Sequence, residues 1–278
     1  TFETKEELRE EIRKTRSLTN KPFGVNLNLF PMMRQRSVEE DIDLFIDEGV
    51  GIVESSGASP EPYVHRLKEA GVKIIHKVPA VRFAQKAESV GVDAVTIVGF
   101  ECAGHPGMDD VTSLILVPLT ADALKIPVVA GGGFCDARSF VAALALGADG
   151  VMMGTRFVAT HECIVHPKIK EWLVKAKETD TTLIDRSLGL PMRVIKNKPA
   201  EKALEMDKRG ASLEELLTVI SGELGRKAWI EGDIEAGVVS LGMAVGRIHE
   251  IVSVKKAIDD IIEEAQTICK RLNLSLAA

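Results

Sequence analysis

Short apolar, β-branched runs alternate with amphipathic stretches over the first two thirds of the chain. The runs are Phe23–Leu29, Gly51–Ser55, Val72–Val78, Ala94–Gly99, Pro127–Ala130 and Gly150–Met153. Most are continuously apolar, as expected for strands covered on both faces of a parallel sheet. A helix is predicted from about Ser37 to Glu48, because Ser37-Val38-Glu39-Glu40 has the form of a capping box and Val38, Ile42, Phe45 and Ile46 share one face. Ser59-Pro60 begins a second helix, with Tyr63, Leu67 and Ala70 as its apolar stripe. Gly49-Val50, Gly71-Val72, Gly91-Val92 and Gly147-Ala148 each read as a glycine that ends a helix and leads into the next strand. Strands alternating with helices require right-handed parallel crossovers, so six such units predict a parallel barrel or a doubly wound sheet.

The rhythm changes after Thr155. Residues 157–252 have helical periodicity and no clear strand and helix alternation, so they predict a mainly helical second domain after a β/α domain over 1–156. In residues 253–278, Ile258, Ile261, Ile262, Ala265 and Ile268 recur at helical spacing and predict a closing helix laid back on the first domain.

Composition narrows the classes of function. The 278 residues are 45% apolar and 27% charged, ordinary values for a globular protein. Forty-one acidic residues against 35 basic ones give a net charge of −6, and the basic residues are scattered. Nucleic acid needs a concentrated positive footprint and is not expected as a partner. No apolar run reaches the roughly 18 residues that span a bilayer, so no membrane association is expected and the location is read as cytoplasmic. Cys102, Cys135, Cys163 and Cys269 lie far apart, without disulfide or metal spacing.

Two consecutive strand ends carry the first candidate chemistry. Pro127-Val128-Val129-Ala130 runs into Gly131-Gly132-Gly133, and Asp136 then caps a helix; one unit later Val151-Met152-Met153 runs into Gly154-Thr155. Each alone reads as a tight turn or as an anion-binding turn. The pair favours a phosphate, which β/α barrels often bind at their last two strands. His105 stands in Glu101-Cys102-Ala103-Gly104-His105-Pro106-Gly107 after another strand, with no helical or apolar face to serve, and is the candidate catalytic or ligand-binding side chain. Lys77, inside an apolar strand, needs either a partner, a ligand or a path to water. Asn26 and Asn28 share a strand face and can hold the edge of a heterocycle.

With these residues assembled, the chain resembles the nitronate monooxygenase (2-nitropropane dioxygenase) family, which includes related flavin-dependent enoyl-acyl-carrier-protein reductases. The carriers are Pro22-Phe23-Gly24-Val25-Asn26-Leu27, Ile75-His76-Lys77-Val78, Glu101 to Gly107, Val129 to Gly133, and Met153-Gly154-Thr155-Arg156-Phe157, in the family's order. The resemblance implies a TIM-type (β/α)8 barrel that binds FMN, with the helical second domain covering the substrate. It implies His105 as the catalytic histidine and Asn26 and Lys77 as flavin contacts. Gly131, Gly132, Gly133, Gly154 and Thr155 would cradle the phosphate, and Ala103, Gly104, Ala130 and Met153 would line the same cofactor. Ser55 and Ser56 are the candidate substrate contacts.

The implied reaction is FMN-dependent oxidation of alkyl nitronates, or of nitroalkanes deprotonated by His105, by O2 to carbonyl compounds and nitrite. The expected partners are this small-molecule substrate and O2, with a homodimer compatible with the reading. The alternatives are an FMN-dependent NAD(P)H enoyl-acyl-carrier-protein reductase and a noncatalytic flavin-binding relative. The chain departs from the family's pattern at three places. The first two barrel strands are expected to be absent, Ala103 stands where glycine is common, and Gly242-Met243 replaces a common Gly-Gln.

Overall fold

The computed structural model describes residues 2, 4–30 and 37–276. By compactness it comprises one unit of residues 1–97 with 120–128 and a second of 98–119 with 129–278.

The first unit contains α1 (Lys5–Leu18), β1 (Gly24–Asn28), α2 (Val38–Asp47), β2 (Ile52–Ser56), α3 (Glu61–Glu69), β3 (Lys73–Val78), α4 (Val81–Ser89) and most of β4 (Ala94–Val98). Successive strands pair in parallel, β1 with β2, β2 with β3 and β3 with β4. Val95 N–H then donates to Pro127 O at 3.0 Å, which sets residues 120–128 beside β4. The predicted capping box is formed: Ser37 Oγ accepts from Glu40 N–H, and the Glu40 carboxylate accepts from Ser37 N–H. Ile42 and Phe45 are buried as expected, with Leu44 joining them where Val38 was expected. In α3 the buried positions are Val64 and Leu67, one step round from the expected Tyr63. Gly49, Gly71 and Gly91 take φ of +62°, +75° and +96°, the left-handed conformation that releases each helix into its strand. The α1 helix is pinned by Arg13, whose guanidinium donates to both oxygens of the nearly buried Glu48 carboxylate at 2.7 and 2.9 Å.

The chain enters the second unit at the end of β4, passes back to the first within α5 (Ser113–Ala123), and returns to the second in β5 (Val128–Gly131). It continues as α6 (Ala137–Ala145), β6 (Gly150–Met152), α7 (Thr155–Val158), α8 (Pro167–Leu173), β7 (Thr181–Ile184), β8 (Met192–Ile195), α9 (Lys198–Lys208), α10 (Leu213–Ile220) and α11 (Gly222–Glu231). A 3₁₀ helix, Met243–Arg247, precedes α12 (Val254–Leu276). β5 and β6 are parallel, while β7 and β8 form an antiparallel pair within the region expected to be mainly helical. Each of those two strands is four residues long, too short for its period to stand out against helical neighbours.

Two apolar clusters fill this unit. One gathers Ile169, Leu173, Ile195, Val245 and Ile248; the other gathers Ile184, Val194, Ala200, Ala203 and Leu216. Ala265 and Ile268 of α12 pack against Ala137, Phe140 and Val141 of α6. Ile258 and Ile262, expected to point inward, are 46% and 42% exposed. The inward stripe is Ala257, Ile261, Ala265 and Ile268, and a helix of about 3.6 residues per turn swings the adjacent positions roughly 100° away from it. Among the described residues no helix is long and apolar enough to cross a membrane.

Candidate active site

Strand alternation sorts the polar residues of the first unit onto two faces. Asn26 lies opposite Glu54 in the β1–β2 register, Asn28 opposite Ser56, and Ser56 opposite Lys77 in the β2–β3 register, so these side chains share one face. On it the Asn26 amide donates to Glu54 Oε2, and Lys77 Nζ lies 3.1 Å from Glu54 Oε1. Lys77 has therefore found a partner that the sequence reading did not assign to it. Ser55 points the other way: it is fully buried, with Oγ 2.9 Å from His76 Nδ1. Burial holds the His76 pKa down at about 4, so the imidazole is neutral near pH 7. The expected substrate contact at Ser55 is corrected accordingly, because alternation turns it away from Asn26 and Lys77. Ser56 stays on their face.

In the second unit, the loop after β4 is held mainly through backbone groups. Gly99 N–H donates to Gly131 O, Phe100 N–H to Val111 O, and Gly104 exchanges two hydrogen bonds with Arg193. The buried Arg193 guanidinium donates through Nε and an Nη to Phe100 O at 3.1 and 3.0 Å, and through the other Nη to Thr181 Oγ1 at 3.1 Å. It also stacks 4.5 Å from the Phe100 ring centre. Arg193 thus fixes the chain on both sides of Glu101-Cys102-Ala103. His105, one residue beyond Gly104, is exposed as a residue, while partial burial of its ring lowers its pKa from the usual 6.5. A neutral imidazole at pH 7 is competent to accept a proton.

The glycine turns join the same network. Ser113 Oγ donates to Gly132 O at 2.7 Å and lies 3.1 Å from both Gly131 O and a Glu101 carboxylate oxygen, while Ser113 N–H donates to that carboxylate. Met243 N–H donates to Glu101 O, and Gly242 N–H donates to Thr155 Oγ1 at 3.0 Å. Gly131, Gly132, the loop bearing Ala103, Gly104 and His105, and the turn of Met153, Gly154 and Thr155 are thereby tied together. A Cβ on Gly132, at φ +91°, would lie 3.0 Å from the Gly99 backbone and 3.1 Å from Ser113 Oγ, and one on Gly133 would lie 3.3 Å from Glu101 Cβ. Those glycines serve close packing inside the protein. Gly154 differs, since a Cβ there would meet no atom within 4 Å. Its backbone is thus open on that side, and Thr155, accepting from Gly242, keeps its hydroxyl hydrogen for donation. The end of α6 is already occupied by its own anion: Asp136 caps it by accepting from Ser139 N–H and from Arg247.

Glu54, Glu101, Ser113 and Arg193 were not singled out from the sequence. Arg193 had a legible signal, a lone cation inside the apolar run Met192–Ile195. The described residues contain no cluster suited to a metal ion.

A family model described as nitronate monooxygenase matches residues 31–264. The (3aS,4S,5R,7aS)-5-hydroxy-7a-methyl-1-oxo-octahydro-1H-indene-4-carboxyl-CoA dehydrogenase of Rhodococcus jostii is 33% identical over 93% of this chain and 82% of its own length. A protein of Staphylococcus saprophyticus named "Probable nitronate monooxygenase" is 36% identical over 66% of this chain and 55% of its own. Among solved structures, FabK from Thermotoga maritima superposes with a TM-score of 0.89 at 38% identity, covering 97% of this chain and 84% of that one.

Proposed function

The chain belongs to the nitronate monooxygenase family, and from that premise we infer that this flavin-dependent oxidoreductase uses FMN to oxidise alkyl nitronates with O2 to carbonyl compounds and nitrite. The observation that carries the reading is the placement of the His105 imidazole, exposed on a loop that Arg193 clamps at Phe100 and Gly104. With a neutral nitroalkane as substrate, His105 takes the proton from the carbon beside the nitro group and leaves the nitronate. Gly154 and Thr155 would hold the FMN phosphate, aided by the Gly131-Gly132-Gly133 turn with Ala130 and Met153 beside it. Ala103 and Gly104 would line the cofactor, and Asn26 and Lys77 would contact its ring. Ser56 is the remaining candidate substrate contact on the first unit. Bound FMN would supply the acceptor for substrate electrons and pass them to oxygen.

His105→Ala is expected to slow turnover of a neutral nitroalkane by about 10²-fold or more, within the usual range for a general base, and to leave preformed nitronate much less affected. Equal losses on both substrates would remove the base assignment. The sign of the pH dependence follows from the lowered pKa: nitroalkane kcat/KM rises with pH as His105 loses its proton, with its midpoint below the usual imidazole value, and levels off once the ring is neutral.

A second reading is favoured by one observation, the 33% identity across 93% of the chain to a relative named as a carboxyl-CoA dehydrogenase. It makes the substrate an acyl thioester, the class to which enoyl-acyl-carrier-protein reduction with NAD(P)H also belongs. Anaerobic mixing of the flavin-loaded protein separates the readings. Loss of oxidised flavin absorbance with an alkyl nitronate alone supports the first; loss with NADPH or with a saturated acyl-CoA alone assigns the chain to thioester chemistry.

A further inference from the structure

Glu54 faces two residues that the proposed function assigns to the flavin, and it does so on one strand face. It is the direct cross-strand neighbour of Asn26, while Lys77 reaches it diagonally from β3. Its side chain is 22% exposed, that of Lys77 29%, so the pair is largely withdrawn from water. Lys77 Nζ sits 3.1 Å from Oε1, a charge pairing that occupies one side of an ammonium with three hydrogens to donate. Oε2 accepts from Asn26 Nδ2.

A carboxylate only accepts hydrogen bonds, which has a consequence for Asn26. Its amide must turn Nδ2 toward Glu54, and the carbonyl Oδ1 is then the end presented away from Glu54. The face accordingly offers an acceptor at Asn26 and donors at Lys77, in fixed order. That is the complement of an imide edge, in which an N–H lies beside a carbonyl, as in the pyrimidine ring of a flavin.

We propose that Glu54 is a positioning residue for the cofactor: it fixes the orientation of the Asn26 amide and offsets the charge of Lys77 on the strand face they share. The inference rests on the flavin reading of this face. Offsetting the Lys77 charge weakens its attraction for the extra negative charge of reduced flavin, so Glu54 holds the reduction potential below the value that an uncompensated lysine would set.

The test compares wild type, Glu54→Gln, Lys77→Met and the double variant, each stripped of cofactor and reloaded with FMN. Two quantities are read: the Kd for FMN by fluorescence quenching, and the two-electron potential against reference dyes. Glu54→Gln is expected to favour the reduced over the oxidised cofactor by about tenfold, an upward shift of about 30 mV for a two-electron couple. Lys77→Met is expected to shift the potential downward, because it removes the cation and leaves Glu54 uncompensated, and the double variant, which loses both charges, should lie between the two single variants. A role confined to stability would move melting temperature and leave the potential in place. An unchanged potential in Glu54→Gln with FMN bound overturns the inference. Should that variant fail to fold, Lys77→Met still decides, since an unchanged potential there removes the charge that Glu54 is said to offset. A wild-type protein that takes up no FMN overturns the flavin assignment of this face itself, a failure distinct from that of Glu54.

Discussion

On the strand face of the first unit, Asn26, Glu54 and Lys77 meet one another through side chains. In the turns of the second unit, Ser113, Glu101, Thr155 and Arg193 each bond at least one backbone group, beside the side-chain contacts Ser113–Glu101 and Arg193–Thr181. The difference concerns what can be exchanged without harm. A side-chain network retunes when one member changes, because the strands beneath it are held by their own ladder. A network that ends on backbone carbonyls and N–H groups fixes the path of the chain, so losing one member moves the loop. The first unit's polar face is thus suited to adjusting the charge felt by a ligand, and the second unit's turns to holding atoms at fixed distances.

Replacing glycines tests that contrast most severely. Gly132→Val places a branched side chain 3.0 Å from the Gly99 backbone at a φ of +91°. Overpacking and left-handed strain each cost about 1–3 kcal/mol, so a loss of about 4 kcal/mol is expected, read as a large fall in the denaturant midpoint, with cofactor lost together with the fold. Gly154→Val meets open space at a φ of −94° and should leave the midpoint nearly unchanged while weakening FMN binding. If Gly154→Val were as destabilising as Gly132→Val, or bound FMN as wild type does, the division between packing glycine and cradle glycine would fail.

What the sequence made legible follows the same division. The strand ends, the capping box at Ser37 and the helix-ending Gly49, Gly71 and Gly91 rest on local periodicity and on backbone freedom, which neighbouring residues announce. Two adjacent glycine turns could be found for that reason. Glu54 could not be assigned, because its partner Asn26 is 28 residues away and the register joining them is a tertiary fact. Arg193 holds Phe100 across 93 residues, and nothing around Met192 or Val194 names that carbonyl. Ser55 was misassigned for a simpler reason. Adjacent serines at a strand end look equivalent until alternation places one against His76 and the other toward Lys77.

A buried carboxyl in the second unit sharpens the comparison, because it lacks the partner that Glu54 has. Asp185 is 4% exposed at a φ of +60°, and Oδ1 has no hydrogen-bond partner among the described residues. Burial, with the charge of Asp207 adding to it, raises its pKa to about 6. A carboxyl whose folded pKa exceeds the unfolded one opposes folding once it ionises. The penalty is absent below about pH 4, grows toward pH 6 and is constant above. A rise from 3.8 to about 6 corresponds to about 3 kcal/mol. Asp185→Asn, which tolerates the left-handed backbone, should therefore gain up to that amount at pH 8 and nothing at pH 4, as measured by urea unfolding at both values. A gain independent of pH would show that ionisation is not its source.

The smallest expected effect concerns Asp136, which belongs to both styles of construction at once. Its carboxylate accepts from the backbone N–H of Ser139 at 2.9 Å, as the turns do, and from the Arg247 side chain at 2.8 Å, as the strand face does. Burial pushes its pKa upward, but the bonds from Ser139 and Arg247 outweigh burial and hold it below 3.8. A depressed carboxyl contributes stability that is present above its unfolded pKa and disappears as pH falls through the folded value. Asp136→Ala removes the cap of α6 and should cost about 1 kcal/mol at pH 7, the usual worth of such a cap, with the difference from wild type closing as both are taken toward pH 2. Arg247→Ala separates the two contributions, since it removes the side-chain partner and leaves the cap. If the cap dominates, Arg247→Ala costs well under half as much as Asp136→Ala. Equal costs would place Asp136 with Glu54, as a carboxylate whose main task is to meet a cation.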